Sequence, residues 1–81
     1  MMDENSERIQ MLERRFNLFP ARFTWRGRVY NVDAVNECKT VTSRYAAQGM
    51  HHFWIRADGQ MLHLCEIFPH SDWLIYRDAM E

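Results

Sequence analysis

Apolar and polar residues alternate in short runs from residue 20 onward, and turn-forming residues separate the runs. This two-residue period is typical of antiparallel strands. Arg26-Gly27 and Asp58-Gly59 each predict a two-residue hairpin turn, because glycine readily adopts the positive φ that these turns require. The first turn places Phe23 opposite Tyr30, so the chain is expected to form at least two hairpins with a defined register.

Each predicted register separates a core face from an outer face. The second turn pairs Ile55 with Leu62, and the alternation extends this assignment along both hairpins. The residues expected in the core are Phe23, Trp25, Tyr30, Val32, Ala34, Phe53, Ile55, Leu62 and Leu64. The outer face of the second hairpin carries His52, Trp54, Arg56, Met61, His63 and Cys65. Val35 breaks the alternation, which predicts a bulge in the strand that continues toward Cys38.

The N-terminal segment shows a different spacing. Ile9, Leu12, Phe16 and Phe19 are three or four residues apart, which predicts one apolar face of a helix over residues 4–18. Pro20 disfavours helical angles at the residue before it and is expected to end the helix.

Together these elements predict one α+β, mostly β domain over residues 1–81. The helix at 4–18 precedes an antiparallel sheet over residues 20–78. We expect a five-stranded meander that curls toward a small SH3-like barrel. Residues 39–45 are predicted to form a polar strand, residues 46–50 a loop or single helical turn, and residues 73–76 the last strand.

Composition narrows the class of protein. The chain has 81 residues, of which 47% are hydrophobic, and no run approaches the roughly 18 apolar residues that a membrane helix needs. The acidic N-terminus does not resemble a secretory signal. Two cysteines, Cys38 and Cys65, are too few for a disulfide-stabilised secreted domain, so we expect reduced thiols and a cytoplasmic location.

The charge is unevenly distributed along the chain. Residues 14–56 carry eight Arg or Lys against two acids, a net +6, in a protein whose overall net charge is −1. Arginine combined with aromatic residues is typical of surfaces that bind single-stranded nucleic acid, although such proteins are usually basic overall. The residues chosen for the binding face are Arg26, Arg28, Trp54, Arg56 and His63.

A metal-binding site is the most specific chemical hypothesis that the sequence offers. The second hairpin places His52 opposite Cys65, with His63 on the same face, and three such ligands can hold zinc. The chain lacks the C-x-x-C and H-x-x-x-H spacings of structural zinc sites, so we expect no metal and no other cofactor. Neither an acid/base pair of carboxylates nor a Gly-rich phosphate loop is recognisable, so we expect no enzymatic activity.

Six residues of the first hairpin, with Asp58-Gly59 and the later Trp73-x-Ile75, form a wider pattern. The six are Pro20, Phe23, Trp25, Gly27, Tyr30 and Val32. Over residues 20–77 this pattern resembles a bacterial domain family of unknown function that occurs as short stand-alone proteins and at the C-terminus of ImuB-type proteins. ImuB-type proteins are relatives of Y-family DNA polymerases, so the resemblance implies a link to DNA repair. It supplies no catalytic residues.

The sequence therefore predicts a small, non-enzymatic interaction module. Binding to a protein is preferred, because Trp54, Met61 and the strand at residues 73–76 have the composition of a protein interface. Self-association through an edge strand is a further way to use the sheet. Nucleic-acid binding through Arg and aromatic side chains is the alternative function, and no membrane partner is expected.

Overall fold

The computed structural model describes residues 6–42 and 48–76, which form a closed antiparallel β-barrel. Its six strands are β1 (Ser6–Arg15), β2 (Phe19–Trp25), β3 (Arg28–Thr42), β4 (Gly49–Ala57), β5 (Gln60–Phe68) and β6 (Asp72–Tyr76). Each strand pairs with the next along the chain, and β6 pairs with β1. The predicted small barrel is confirmed, but it has six strands where five were predicted.

The predicted N-terminal helix is wrong. Residues 6–15 form β1, in which partly buried Ile9 and Met11 alternate with exposed neighbours. Leu12 and Phe16, which belonged to the predicted helical face, are 42% and 88% exposed. β1 pairs with both β2 and β6, so it covers two strand edges that would otherwise be open. The stabilisation from these long-range strand pairings outweighs the helical preference that the short apolar spacing indicated. Residues 4 and 5 lie outside the described residues.

Both hairpin registers are confirmed. Phe23 pairs with Tyr30 and Ile55 pairs with Leu62. The buried core cluster consists of Phe23, Tyr30, Val32, Phe53, Ile55, Ala57, Leu62, Leu64, Trp73 and Ile75. Trp25, predicted in the core, is half-buried and packs against this cluster.

The predicted bulge near Val35 is also confirmed, and it corrects the assignment of Ala34. The pairing of β3 with β4 shifts between Val32 and Ala34 and again between Val35 and Glu37. These shifts leave Ala34 exposed and pack Val35 against the core. Farther along, β3 ends at Thr42, while the rest of the strand predicted at 39–45 lies outside the described residues.

The region predicted as a loop at residues 46–50 is partly corrected. Gly49 and Met50 belong to β4, and residues 46 and 47 lie outside the described part of the chain. Gly49 is buried, and a Cβ at this position would come 2.5 Å from the Phe68 ring, so the strand needs glycine there. The predicted last strand is confirmed as part of β6. Over the two described ranges, the chain contains no helix of the length and apolarity needed to cross a membrane.

The meander places alternate connections at opposite ends of the barrel. The turns at 26–27 and 58–59 lie at one end, which we call the hairpin end, and an ion pair between Arg28 and Asp58 joins them. Both residues of each turn have positive φ, as a type I′ turn requires. The turn between β1 and β2, which contains Phe16, lies at the opposite end.

The barrel wall opens between β2 and β3. Their ladder joins only residues 22–25 to residues 28–31. Beyond it, within the part of the chain that the structure describes, residues 32–42 of β3 have ladder partners only in β4. We call the side of β3 that faces β2 over these residues the open edge.

Candidate functional site

An apolar groove of about 390 Å³ occupies the opening between β2 and β3. Phe19 and Pro20 of β2 form one wall, and Val32 and Val35 of β3 form the other. Pro20 is fully buried, and the Phe19 ring packs edge-on against Phe53 with 6.0 Å between ring centroids. The walls of the groove are therefore fixed to the barrel core.

Phe16 stands at the rim of the groove with two unusual properties. Its side chain is 88% exposed, which is rare for so large an apolar residue. Its φ is 56°, in the left-handed region that bulky side chains avoid and that Gly or Asn normally occupies in turns. Neither property stabilises the isolated domain. Exposed aromatic side chains and residual backbone strain are both typical of binding sites.

The open edge of β3 gives the groove a second means of recognition. An unpaired strand edge presents backbone N–H and C=O groups that an extended segment from another chain can pair with. From Glu37 to Thr42 the pairing with β4 has no bulge, so this part of the edge is regular. A ligand strand here would lie beside the apolar groove that Phe16 helps to line.

The predicted binding residues Arg26 and Arg28 both lie at the hairpin end, and both have intramolecular partners. Arg26 donates to Glu7 from Nε at 3.1 Å and from Nη2 at 2.5 Å, and its guanidinium lies 5.0 Å from the centre of the Trp25 ring. Arg28 pairs with Asp58 and lies 5.0 Å from the centre of the Tyr30 ring. These contacts fasten neighbouring strands at this end of the barrel.

Trp54 and His63 lie on the outer face, as predicted, and form part of a row of stacked rings. His63 lies between Trp54, at 4.5 Å and 15°, and Tyr76, at 4.7 Å and 28°. Both faces of the His63 ring are covered by its neighbours. Arg56 is exposed near the hairpin end of the barrel, between Ala34 and Met61 in the sheet. Ring stacking joins Trp54 to His63, whereas Arg26 is bonded to Glu7 of β1, so the described contacts do not join Arg26 to this row. A nucleobase needs an open ring face on which to stack, and the His63 ring offers none.

The fold also brings acids to the basic central segment. Four of its arginines form ion pairs with carboxylates, and all four carboxylates come from the acidic segments at either end of the chain, residues 1–13 and 57–81. The pairs are Arg14 with Glu66, Arg22 with Glu13, Arg26 with Glu7 and Arg28 with Asp58. The +6 of the linear sequence is therefore largely balanced on the surface of the barrel.

The candidate metal ligands lie on neighbouring strands, but the expectation that all three lie on an exposed face is wrong for Cys65. His52 lies opposite Cys65, and its Nδ1 is 2.9 Å from Nε2 of His63, a hydrogen bond between two imidazoles. Cys65 is fully buried, and this burial, assisted by the charge of Glu66, raises the pKa of its thiol to about 11. Among residues 6–42 and 48–76, no three His, Cys, Asp or Glu side chains converge as a metal site would require.

Glu66 itself was not singled out by the sequence. It is buried, it accepts a hydrogen bond of 2.7 Å from the Ser71 hydroxyl, and Arg14 lies 3.6 Å away. These contacts satisfy the carboxylate and fasten the turn before β6 to the barrel, so the role of Glu66 is structural. Phe16 was not chosen as a candidate binding residue because its spacing fitted a helix, although Phe16-Asn17 before Pro20 is also a turn signal.

Comparisons of the chain with family models, with curated proteins and with solved structures find no match.

Proposed function

We propose that this protein is a non-enzymatic protein-binding module that takes an extended segment of a partner protein along the open edge of β3. Phe16 supports the proposal most directly, because this 88% exposed aromatic residue lines the apolar groove, and β3 beside it has ladder partners only in β4 among the described residues from Val32 onward. In this mode the partner's backbone pairs with β3, and an apolar side chain of the partner enters the groove.

The groove determines which partner segments fit. Its volume of about 390 Å³ accommodates one large aliphatic or aromatic side chain between Phe19 and Val35. Arg15 and Glu37 line its ends, so polar or charged residues of either sign are tolerated beside the apolar one. We therefore expect a short β-forming segment with a single apolar anchor. A cytoplasmic partner in DNA repair, as the family resemblance implies, is part of this proposal.

Selection of peptides from a random display library on the immobilised protein tests the proposal. Selected peptides should carry one large apolar residue in an extended context and should bind in a fluorescence polarisation assay. The Phe16→Asn variant should bind them at least about tenfold more weakly, because truncation of an aromatic anchor costs about 2 kcal/mol or more. Leu12→Asn is the matched control, because Leu12 is also exposed, at 42%, but does not line the groove.

Amide hydrogen exchange locates the bound peptide. Protection should increase within residues 32–42, which have ladder partners only in β4 among the described residues. Equal binding by the Phe16→Asn and Leu12→Asn variants, or protection confined to the hairpin end, would exclude the groove. Salt-sensitive binding of single-stranded DNA that is lost in Arg56→Ala would instead support the nucleic-acid function.

A further inference from the structure

The regular part of the open edge has a self-complementary sequence. Glu37 and Lys39 stand on either side of Cys38, and Asn36 and Thr40 follow as a polar pair. Antiparallel pairing of two copies about a two-fold axis places residues equally distant from the axis opposite each other. A two-fold axis at Cys38 would therefore bring opposite charges together twice, once on each side of the axis.

We infer that a second copy of this chain pairs with the open edge, β3 against β3, with the two-fold axis at Cys38. This inference rests on the docking surface of the proposed function and names a partner for it. In the resulting dimer, Glu37 of each copy faces Lys39 of the other, and the two sheets become continuous across the interface.

Charge complementarity selects this register over its neighbours. A two-fold axis at Glu37 would place the two Glu37 side chains opposite each other, and an axis at Lys39 would do the same with the two lysines. Like charges directly opposite across a strand pair are destabilising, whereas opposite charges contribute favourably. Glu37 and Lys39 are both exposed on the outer face, opposite Trp54 and His52 of β4, so they are available for pairing.

Two exposed apolar residues, Val41 and Phe16, lie just beyond the charged pairs in the same arrangement. Val41 of the second copy extends past the bulge toward the groove that Val35 and Phe16 line. Val41 and Phe16 are 44% and 88% exposed in the single chain. The bulge between Val35 and Glu37 limits the regular ladder to a few residues around Cys38. An interface this short is expected to be weak, with a Kd of about 10–100 μM.

Sedimentation of the reduced protein over about 5–500 μM tests the dimer and its register. The wild-type protein should pass from monomer to dimer within this range. Lys39→Glu and Glu37→Lys should each raise the Kd by about tenfold or more, because both charged pairs become repulsive. The double variant Glu37→Lys/Lys39→Glu should recover the dimer, and the two single variants should associate with each other when mixed.

Cys38 provides an independent measure of the axis. In this register the two Cys38 residues are directly opposite, about 4.5–5.5 Å apart at Cα. Mild oxidation of a Cys65→Ser variant should give a disulfide-linked dimer, whereas Cys38→Ser should give none. The Cys65→Ser variant keeps the exposed thiol of Cys38, whereas the Cys38→Ser variant keeps only the buried thiol of Cys65, so the two variants should differ clearly in their oxidation.

A reduced protein that stays monomeric at about 500 μM would overturn the dimer, as would a double variant that fails to recover. Peptide binding measured below about 5 μM, where the chain is monomeric, separates the two proposals. A monomer that binds selected peptides in the groove leaves the proposed function in place and removes only the second copy. If the dimer forms in the predicted register but no peptide binds, the edge serves self-association, and the proposed binding of other proteins is excluded.

Discussion

Replacement of Phe16 by Asn should make the domain more stable, and this prediction separates a binding role for Phe16 from a structural one. Phe16 has a φ of 56°, and a left-handed conformation costs a residue other than Gly or Asn about 1–2 kcal/mol. Asn populates this region more readily, so much of that cost is removed. Against it stands the loss of whatever burial the Phe16 ring has in the isolated chain.

That loss is small. Since Phe16 is 88% exposed, only the remaining 12% is covered. Full burial of a Phe side chain is worth about 1.5–3 kcal/mol, so this fraction contributes about 0.2–0.4 kcal/mol. The Phe16→Asn variant should therefore gain about 0.5–1 kcal/mol in free energy of unfolding. For a domain of this size the gain corresponds to a rise in Tm of about 2–8 °C.

Urea unfolding followed by tryptophan fluorescence measures the change, at a protein concentration low enough to keep the chain monomeric. Phe19→Asn is the matched control, because Phe19 packs against the Phe53 ring and its truncation should cost about 2–4 kcal/mol. A Phe16→Asn variant less stable than the wild type would refute the reasoning, since Phe16 would then be a packing residue. A variant that is more stable but no longer binds peptide would show that Phe16 lowers the stability of the domain and is needed for binding.

Three further predictions concern other parts of the barrel. Gly49→Ala should destabilise the domain by about 1–3 kcal/mol in urea unfolding, because its Cβ would come 2.5 Å from Phe68. Iodoacetamide at about pH 8 should modify exposed Cys38 and spare Cys65, whose pKa of about 11 keeps it a thiol. Burial lowers the pKa of His52, so the unfolded chain takes up a proton more readily, and the urea midpoint should fall as the pH drops below about 6.5.

Each of these predictions has a control. Gly59→Ala lies in a turn with a φ of 74° and no neighbour within 4 Å, so it isolates backbone strain from collision. Cys65 should become as reactive as Cys38 in urea, and fast labelling of Cys65 in the native state would contradict its burial. A His52→Gln variant should lose part of the decline in stability at low pH. A midpoint that rises on acidification would show that the folded state favours the charged imidazole.

The two central hairpins could be predicted from the sequence because residues close together in the chain determine the turn and the pairing of its strands. Arg26-Gly27 and Asp58-Gly59 fix a turn type, the turn fixes the register, and the register fixes which side chains face the core. The core at Phe23 and Phe53 followed directly. The strand identity of residues 6–15 could not be predicted in this way, because Ile9 fits both a helical and a two-residue period. Closure of the barrel decides between them, and its strand partners are far away in sequence.

The functional site was harder to predict for a related reason. Arg26 and Arg28, which the sequence analysis chose for a binding face, are paired with Glu7 and Asp58, whose positions depend on which strand ends meet. The groove lies where the β2–β3 ladder has ended and β3 carries two register shifts, and the alternation indicated only one irregularity, at Val35. Phe16 and the charge pattern around Cys38 are visible in the sequence, but neither indicates a binding site until the structure shows that this edge of β3 is open.

The open edge also carries features that usually prevent strands from associating, namely bulges and charged side chains. Glu37 and Lys39 would repel or mismatch most strands laid beside them, and the bulge before Glu37 prevents a long flat ladder. These features exclude partners by register and by charge. A strand with a base and an acid in the reverse order satisfies both, and β3 of a second copy is such a strand. In the proposed dimer, the same side chains that protect the edge from general aggregation would therefore make it selective.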